Sequence, residues 1–413
     1  METVILPSLR IHLARCYLES ASTRLVALTM VFRDFDYHLY GTRVRFARGT
    51  AASLPDELAA LDATRPVVLM QRRMADSEAW ARLQRSLRHV DLRVYPSVPT
   101  HGEANWVEAV AKDLKLSKCD AIVALGGGSV SDSAKALAML LAEGGRLVDH
   151  VTRFTPPATV DIPVRTRRKL PIIALPTTAS GAEATASFGI RNGAHKMLFW
   201  NGDLASTTIL IDPDLSRDIP LRRMRASAIN GLAHCFEGMY SRNRSRMADA
   251  IALESIEWFA QALSGRSANA DDERATLMAA GHLSGVVLSM TKTCLHHAIC
   301  HVIGARHRVG HGEVNSVVLP HALRFNESVA QDILVPAIRI LNRVSQTTHE
   351  HVSDWVAQTG RQLGLAISLS ELGLTEADLP AIAEQAMHER GLAVNPRRVT
   401  DSDEVLAILR QAL

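Results

Sequence analysis

The chain has 413 residues, of which 47% are hydrophobic and 22% charged, and its formal net charge is +3. This length allows two domains with hydrophobic cores, and the balance is that of a globular protein. Near-neutral charge without basic runs argues against nucleic-acid binding, and no apolar run approaches the ~18 residues of a membrane helix. Five cysteines without a CxxC spacing argue against a disulfide framework. With no leader pattern at the start, we expect a cytoplasmic protein.

The N-terminal half alternates short apolar runs with amphipathic ones. The segment 25–32 could be a strand or a short core helix. Strands are predicted at 66–70, 91–97, 120–129, 171–178 and 207–213. Helices are predicted through Trp80 and Leu87, over 103–114 and over 131–143. This alternation predicts a Rossmann-like parallel sheet with helices on both faces.

The C-terminal half shows almost no strand signal. Its predicted helices cover 247–263, 273–290, 352–364 and 401–413. We therefore place a boundary near residue 214. Residues 1–214 are expected to form the α/β domain, and residues 215–413 an all-helical domain.

A glycine-rich loop, GGGSVSDSAK at 126–135, separates a predicted strand from a predicted helix. Gly126, Gly127 and Gly128 would let the backbone approach a ligand, and free amides at a helix N-terminus attract phosphate. Ser129 could cap the helix or donate to a phosphate oxygen. The spacing is not GxGxxG, so a plain strand-to-helix turn is the alternative. A second turn rich in hydroxyls, PTTASGAEAT at 176–185, favours a pyrophosphate site, because ligands of open α/β sheets bind at the carboxyl ends of strands.

The end of the strand 66–70 bears on the choice of nicotinamide cofactor. An acidic residue there would bind the ribose 2′-hydroxyl of NAD, but Gln71, Arg72 and Arg73 follow instead. The two arginines could meet the 2′-phosphate of NADP, or they could be a solvated basic pair at a helix start. The sequence leaves both NAD(H) and NADP(H) open.

Four histidines and one asparagine suggest a pocket. Asn230 and His234 are four residues apart, as are His297 and His301, so each pair would share one face of a helix. His311 lies in RVGHGEVN, which we interpret as a turn. Neutral imidazoles suit iron, zinc and copper, so the pocket could bind a metal. A carboxylate would complete such a site better than the amide of Asn230 does.

These motifs together resemble those of the iron-containing alcohol dehydrogenase family. The matching segments are GGGSVSDSAK, PTTASGAEAT, NGLAH, HAICH and GHGEVNSVVLPHALRFN, from about Tyr40 onward, with 1–38 outside the resemblance. The resemblance implies a dinucleotide-binding domain, a helical metal-binding domain and an active site in the cleft between them. It implies His234, His297 and His311 as metal ligands, with Asn230 in place of an aspartate, and His301 near the reacting carbon. The cofactor contacts that it implies are Gly127, Gly128, Ser129, Asp132, Thr177, Thr178 and Lys196.

Within that family, the chain resembles the maleylacetate reductase branch. That branch shares an asparagine in an NAxAH segment and an LHHxxCHxxG segment, here LHHAICHVIG at 295–304, and is regarded as working without metal. The chain departs from it at His307, Arg308 and Gly310. An asparagine carbonyl does not neutralise a divalent charge, so we expect the pocket to work without Fe²⁺ or Zn²⁺. The imidazoles would then stabilise and protonate a reacting oxygen, their pKa values held down by mutual repulsion.

Several neighbouring residues have simpler interpretations. We expect His296, Cys235 and Cys300 to pack in the core, and His321 to bond a helix end. The segment 306–308, Arg-His-Arg, could steer an anionic substrate or form a solvated loop.

The first functional hypothesis is an NAD(P)H-dependent oxidoreductase that reduces a small carbonyl compound or conjugated enone. The catalytic residues would be His301, His297, His311 and His234. One alternative is an Fe²⁺- or Zn²⁺-dependent alcohol dehydrogenase in which Asn230 still coordinates the metal. Another is a non-catalytic homologue that binds dinucleotide. The family resemblance also implies a homodimer.

Overall fold

The structure is a computed structural model that describes residues 37–38, 40–115, 118–156 and 159–413. The segment 25–32 lies outside the described residues. In the described chain the strands are β1 Arg43–Phe46, β2 Pro66–Met70, β3 Arg93–Tyr95, β4 Ala121–Gly126, β5 Arg153–Thr155, β6 Thr159–Asp161, β7 Ile172–Pro176, β8 Ser187–Asn192, β9 His195–Trp200 and β10 Thr208–Ile211. The helices are α1 Leu54–Ala60, α2 Arg72–Ala75, α3 Glu78–Ser86, α4 Ala104–Leu114, α5 Gly128–Glu143, α6 Leu221–Tyr240, α7 Arg246–Leu263, α8 Ala270–Thr291, α9 Leu295–His307, α10 His311–Ser345, α11 Val352–Gln362, α12 Leu379–Ala386 and α13 Ser402–Ala412.

A parallel sheet organises the first half, in the order β1-β10-β7-β4-β2-β3. Every residue of β2, β4 and β7 is buried, as expected for strands covered by helices on both faces. Alternate residues of β2 face opposite layers: Val67 packs with α4 and α5, whereas Val68 packs with α1 and α3. The predicted α/β fold class is confirmed.

An antiparallel hairpin, β8–β9, was not predicted from the sequence. It lies outside the six-stranded sheet and packs Phe188 and Phe199 into the core beside α5. Each strand has six residues, but β8 contains Gly189 and Arg191 and β9 begins with His195 and Lys196, so no long apolar run indicates them. The hairpin matters because it carries Lys196.

From Leu221 onward the described elements are helical, which confirms the all-helical C-terminal part. Two predictions are corrected here. His311 does not lie in a turn, because it is the first residue of α10, directly after the left-handed Arg308. His321, which was expected to bond a helix end, lies in the interior of the same helix. Among the described residues, no single helix is long and apolar enough to span a membrane; α8 and α9 reach that threshold only as a pair bent by 108°.

The turn after β7 meets α8 backbone to backbone. A Cβ added to Gly285 would lie 2.0 Å from the carbonyl oxygen of Gly181, and one added to Gly281 would lie 2.6 Å from that of Ala179. Gly181 itself has a φ of +67°, in the left-handed region that favours glycine. This contact joins the carboxyl edge of the sheet to the helices, and no side chain can be inserted without moving one of them.

We expect Gly285→Ala to lower the free energy of unfolding by about 1–3 kcal/mol, because the methyl group would force the turn and α8 apart. Gly360→Ala is the matched control: it lies in α11 with no atom within 4 Å of the added Cβ, and should be neutral or slightly stabilising. Urea denaturation of both variants measures the difference. Equal midpoints would contradict the proposed tightness of the contact.

Candidate active site

A cavity of about 470 Å³ lies between the carboxyl edge of the sheet and the helices that begin at α6. Most of the residues singled out from the sequence line it. These are Gln71, Arg73, Gly127, Gly128, Ser129, Asp132, Thr178, Lys196, Asn230, His234, His297, His301 and His311. Four other predicted residues or segments do not line it: Arg72, Gly126, Thr177 and the segment 306–308.

The positions of the residues outside the cavity explain why they do not line it. Arg72 points to solvent, 78% exposed, and pairs with Asp76 at 3.5 Å. Thr177 is buried behind its neighbour Thr178, and Gly126 is the last residue of β4. Arg306 bonds Gln385 on an exposed surface. The predictions that Arg72 contacts the cofactor and that 306–308 steers a substrate therefore have no support from the position of these residues.

The glycine loop and the turn after β7 form one continuous wall. A Cβ on Gly127 would lie 2.8 Å from Oγ1 of Thr178, so the two turns touch. Ser129 does not cap α5; its Oγ accepts the backbone N–H of His101 at 2.9 Å. The amides at the start of α5 face the cavity, which is the arrangement that binds a pyrophosphate.

The sheet order places this wall at a topological switch point. From β2 the chain moves outward to β3 and then returns to β4 on the other side of β2. Met70 pairs with Leu125, so the ends of β2 and β4 lie side by side. Open α/β sheets bind ligands in the crevice outside such a pair of strands.

The histidines form a cluster at the inner end of the cavity. His234 stacks on His297 with ring centroids 4.8 Å apart, and His301 stacks on His311 at 5.9 Å. His297 lies 6.0 Å from both His301 and His311. The structure therefore brings the two predicted helix pairs and His311 together, as their spacing suggests.

A buried carboxylate that the sequence reading missed orients this cluster. Oε2 of Glu237 lies 2.6 Å from Nδ1 of His297, and Oε1 accepts the backbone N–H of His297 at 3.3 Å. Glu237 follows Asn230 by seven residues on α6, so the same helical face that identified Asn230 and His234 could have revealed it. This contact places a proton on Nδ1 of His297 and leaves Nε2 facing Asn230.

Asn230 contacts Nε2 of His297, the ring nitrogen that a metal would use. Its side-chain Oδ1 lies 3.1 Å from Nε2 of His297. When Nδ1–H is donated to Glu237, Nε2 of the neutral ring is an acceptor. A half-turn of the Asn230 amide supplies an N–H to it, which an ionised aspartate could not do. Asparagine is therefore compatible with a metal-free His297.

The donor set does not fit a closed divalent site. A zinc ion takes imidazole nitrogens at ~2.0–2.1 Å, which requires its ligands to lie close together. Among the described residues, the one group whose donor atoms all lie within 4.8 Å is Glu237, His296 and His297, not the trio His234, His297 and His311. Glu237 and His296 are fully buried and do not line the cavity, and the contact between Glu237 and His297 is a hydrogen bond.

The imidazoles are neutral at physiological pH. Burial, followed by the charge of Lys196, lowers the pKa of His297 to about 3. Burial also lowers the pKa values of His234, His301 and His311 well below the usual range. Mutual repulsion was the predicted cause, but desolvation is the larger one, and no histidine of the cluster keeps a mobile proton near neutral pH. His296 is fully buried, as predicted.

Glu389 is the group that titrates near neutral pH. Its Oε2 lies 3.3 Å from Nδ1 of His301. Burial raises its pKa to about 7, against the opposing charges of Lys196 and Arg390. Glu389 comes from the segment after α12, far from His301 in the chain, and no spacing in the sequence points to it.

Three further residues of the cavity wall were missed. Lys292 and Arg390 add positive charge to the cavity wall, Arg390 lies close enough to His301 to help lower the pKa of that ring, and burial together with Arg390 lowers the pKa of Lys292 to about 8. Lys292 Nζ also lies 5.8 Å from the ring centroid of Trp200. His101 bonds the carbonyl oxygen of Val309 through Nε2 at 2.8 Å.

Lys196 lies between the glycine loop and the histidines. It is partly buried among charges of both signs, with Asp132 and Glu389 offsetting its own. Asp132 accepts the backbone N–H of Gly189 at 3.1 Å. A Cβ on Gly189 would lie 2.3 Å from Cε of Lys196, so this glycine makes room for the lysine. Cys235 and Cys300 are buried, and burial raises their thiol pKa values, which agrees with packing.

Two models of one protein family match the two halves of this chain. The family model "Iron-containing alcohol dehydrogenase" matches residues 41–213, and "Fe-containing alcohol dehydrogenase family, C-terminal" matches residues 224–413. A maleylacetate reductase of Pseudomonas knackmussii is 29% identical over 381 residues, 92% of this chain and 97% of that one. Maleylacetate reductase 2 of Cupriavidus pinatubonensis is 30% identical over 308 residues, 73% of this chain and 77% of that one.

A solved structure supports the same relationship. The maleylacetate reductase of Rhizobium sp. strain MTP-10005 superimposes with a TM-score of 0.74 at 25% identity, covering 92% of this chain and 98% of that one. Both halves of the described chain are thus accounted for by one family. The protein belongs to the iron-containing alcohol dehydrogenase family and is an NAD(P)-dependent oxidoreductase.

Proposed function

We propose that this protein uses NAD(P)H to reduce a small carbonyl compound or conjugated enone that carries a carboxylate, as a maleylacetate reductase-like enzyme, without a bound metal. The observation that carries the proposal is the charge pattern of the inner cavity. Neutral imidazoles surround the reacting position, Asn230 occupies the place of an anionic ligand, and Lys292 and Arg390 supply positive charge in the same cavity. Such a pocket suits a substrate that is itself an anion.

The glycine loop holds the cofactor in this proposal. Backbone amides at Gly128 and Ser129 bind the pyrophosphate, and Thr178 closes the same wall. The bound nicotinamide supplies a hydride. Lys196, buried between this wall and the histidines, orients the groups on either side of it.

His301 and Glu389 move the proton. A protonated Glu389 donates to Nδ1 of His301, which fixes the neutral ring with its hydrogen on Nε2. That N–H stabilises negative charge on the substrate oxygen and transfers its proton to it. Nδ1 then takes the proton of Glu389, which becomes a carboxylate. No imidazolium needs to be present beforehand, in agreement with the lowered pKa of His301.

Lys292 and Arg390 bind the substrate carboxylate. Both line the cavity that holds the histidines, and an anion bound between the two side chains would offset their mutual repulsion. A charge-assisted hydrogen bond from either side chain is stronger than a neutral one. The pair therefore selects oxo acids over neutral aldehydes.

The first prediction concerns Glu389 and pH. Reduction needs its proton, which is held below the pKa of about 7 and lost above it, so kcat for reduction should fall tenfold per pH unit above pH 7. Glu389→Gln cannot ionise, so it should lose this limb, and its kcat below pH 7 should drop by roughly 10²–10⁴-fold. Stopped-flow cofactor oxidation between pH 5 and 9 measures both effects.

The exposed Glu350→Gln is the control and should keep the wild-type profile. Lys196 and Arg390 also face Glu389, so the pH profile should be measured again at high salt. Salt screens exposed charges far more than buried ones, so a decline above pH 7 that persists at high salt belongs to a buried group. A wild-type limb that survives in Glu389→Gln would refute the relay.

The second prediction concerns substrate class. With maleylacetate, Lys292→Met should raise KM by roughly tenfold to a hundredfold, because a charged hydrogen bond is lost. The ratio of kcat/KM for maleylacetate to that for neutral aldehydes should fall with it. In the wild type, KM for the carboxylate should rise as Lys292 loses its proton above pH 8. The exposed Lys112→Met serves as control, and equal turnover of charged and neutral substrates would contradict the proposal.

The third prediction concerns metal. Asn230→Asp should retain more Zn²⁺ or Fe²⁺ than the wild type after purification with added metal, because it places an anionic donor beside Nε2 of His297 and neutralises part of the divalent charge. Elemental analysis measures the content, and Asn230→Asp combined with His234→Ala should lose it again. The wild type should keep its activity in chelator. Stoichiometric wild-type metal whose removal abolishes turnover would instead identify a metal-dependent alcohol dehydrogenase.

A further inference from the structure

The outer end of the cavity carries two arginines from different halves of the chain. Arg73 follows β2 in the helix α2, and Arg223 lies in the first turn of α6. Both line the same cavity as the glycine loop. Arg223 stands seven residues before Asn230, so it lies about 10 Å along the helix from the histidine end.

These two arginines have no anion beside them. Among the described residues, neither guanidinium has a carboxylate within 4.0 Å, whereas the adjacent Arg72 pairs with Asp76. The pKa of Arg73 is lowered by burial and then by the positive charge of Arg223. Partial burial of Arg73 near a second positive charge costs free energy, which an anion bound between the two side chains would offset.

Their position identifies the anion. The ends of β2 and β4 are neighbours, so a dinucleotide whose pyrophosphate lies on the glycine loop places its adenosine ribose at the end of β2. Gln71 stands there in place of the carboxylate that would bind a ribose diol and repel a phosphate. An arginine near this point can accommodate a 2′-phosphate.

We propose that Arg73 and Arg223 form a binding site for the 2′-phosphate of the cofactor, one arginine from each side of the cavity, so that the enzyme prefers NADPH to NADH. The inference rests on the proposed function for the orientation of the cofactor, with its nicotinamide at the histidines. Relative to the cofactor contacts expected from the sequence, it adds Arg223, which no motif singles out, and it excludes Arg72.

Steady-state kinetics with the two cofactors test the site. The wild type should have the higher kcat/KM with NADPH. Arg73→Gln and Arg223→Gln should each lower the ratio of kcat/KM for NADPH to that for NADH by roughly tenfold to a hundredfold, mainly through the KM for NADPH. Arg72→Gln is the matched control, next in sequence but outside the cavity, and its ratio should stay at the wild-type value. If Arg73→Gln weakens NADH and NADPH equally, the arginines bind another part of the cofactor and the proposal is wrong.

A binding measurement separates this inference from the proposed function. Calorimetric titration of the wild type should show adenosine 2′,5′-bisphosphate binding at least roughly tenfold more tightly than adenosine 5′-monophosphate, and Arg73→Gln should abolish the difference. The titration measures binding without turnover, so its result does not depend on the identity of the carbonyl substrate. Equal binding of the two nucleotides by the wild type would overturn the 2′-phosphate site and leave the reductase proposal intact.

Discussion

The backbone contact between the turn after β7 and helix α8 determines where every functional group can lie. Gly181, Gly281 and Gly285 bring two main chains so close that no Cβ fits between them. This contact holds the carboxyl edge of the sheet against the helices, and the cavity lies where the two surfaces diverge. The glycine loop reaches the cavity from one side and the histidines from the other. A small separation at α8 would therefore move the cofactor wall relative to the acid–base groups.

The cavity separates its charges by position. Its inner end holds buried, neutral imidazoles, so their hydrogen-bonding directions rather than their charges determine the chemistry. Glu237 fixes the ring of His297, and Glu389 does the same for His301. The positive charges lie around these imidazoles, in Lys292 and Arg390 on the inner side and in Arg73 and Arg223 on the outer side. Asn230 belongs to this arrangement because an anion in its place would demand a compensating cation.

Local patterns were enough to predict the main elements of the fold. Buried strands such as β2 and β4 are continuous apolar runs, and the four-residue spacings within α6 and α9 showed which faces the histidines share. The glycine loop was recognisable because a strand, three glycines and a helix follow each other directly. The family resemblance, carried by the same motifs, is confirmed by the matches to both halves.

Groups that approach the site from distant segments could not be predicted in this way. Glu389 reaches His301 from 88 residues away, and it lies outside any helix, directly before the short helical turn Arg390–Val394. Arg223 is one of several arginines in RRMR, and only the packing of α6 against the sheet edge shows that it faces Arg73. The β8–β9 hairpin contains Gly189, Arg191 and Lys196, so its sequence shows no continuous apolar run. His311 was assigned to a turn because the glycines on both sides of it conceal the start of α10.

The arginine pair has a consequence for the whole fold. Arg73 belongs to the sheet side of the cavity and Arg223 to the helical side, so a cofactor phosphate bound by both acts as a non-covalent cross-link between them. A ligand that binds only the folded state stabilises it by mass action, by about 2.7 kcal/mol at a hundred times its dissociation constant. In a cell, the resistance of this protein to unfolding and proteolysis would then follow the concentration of its nicotinamide cofactor.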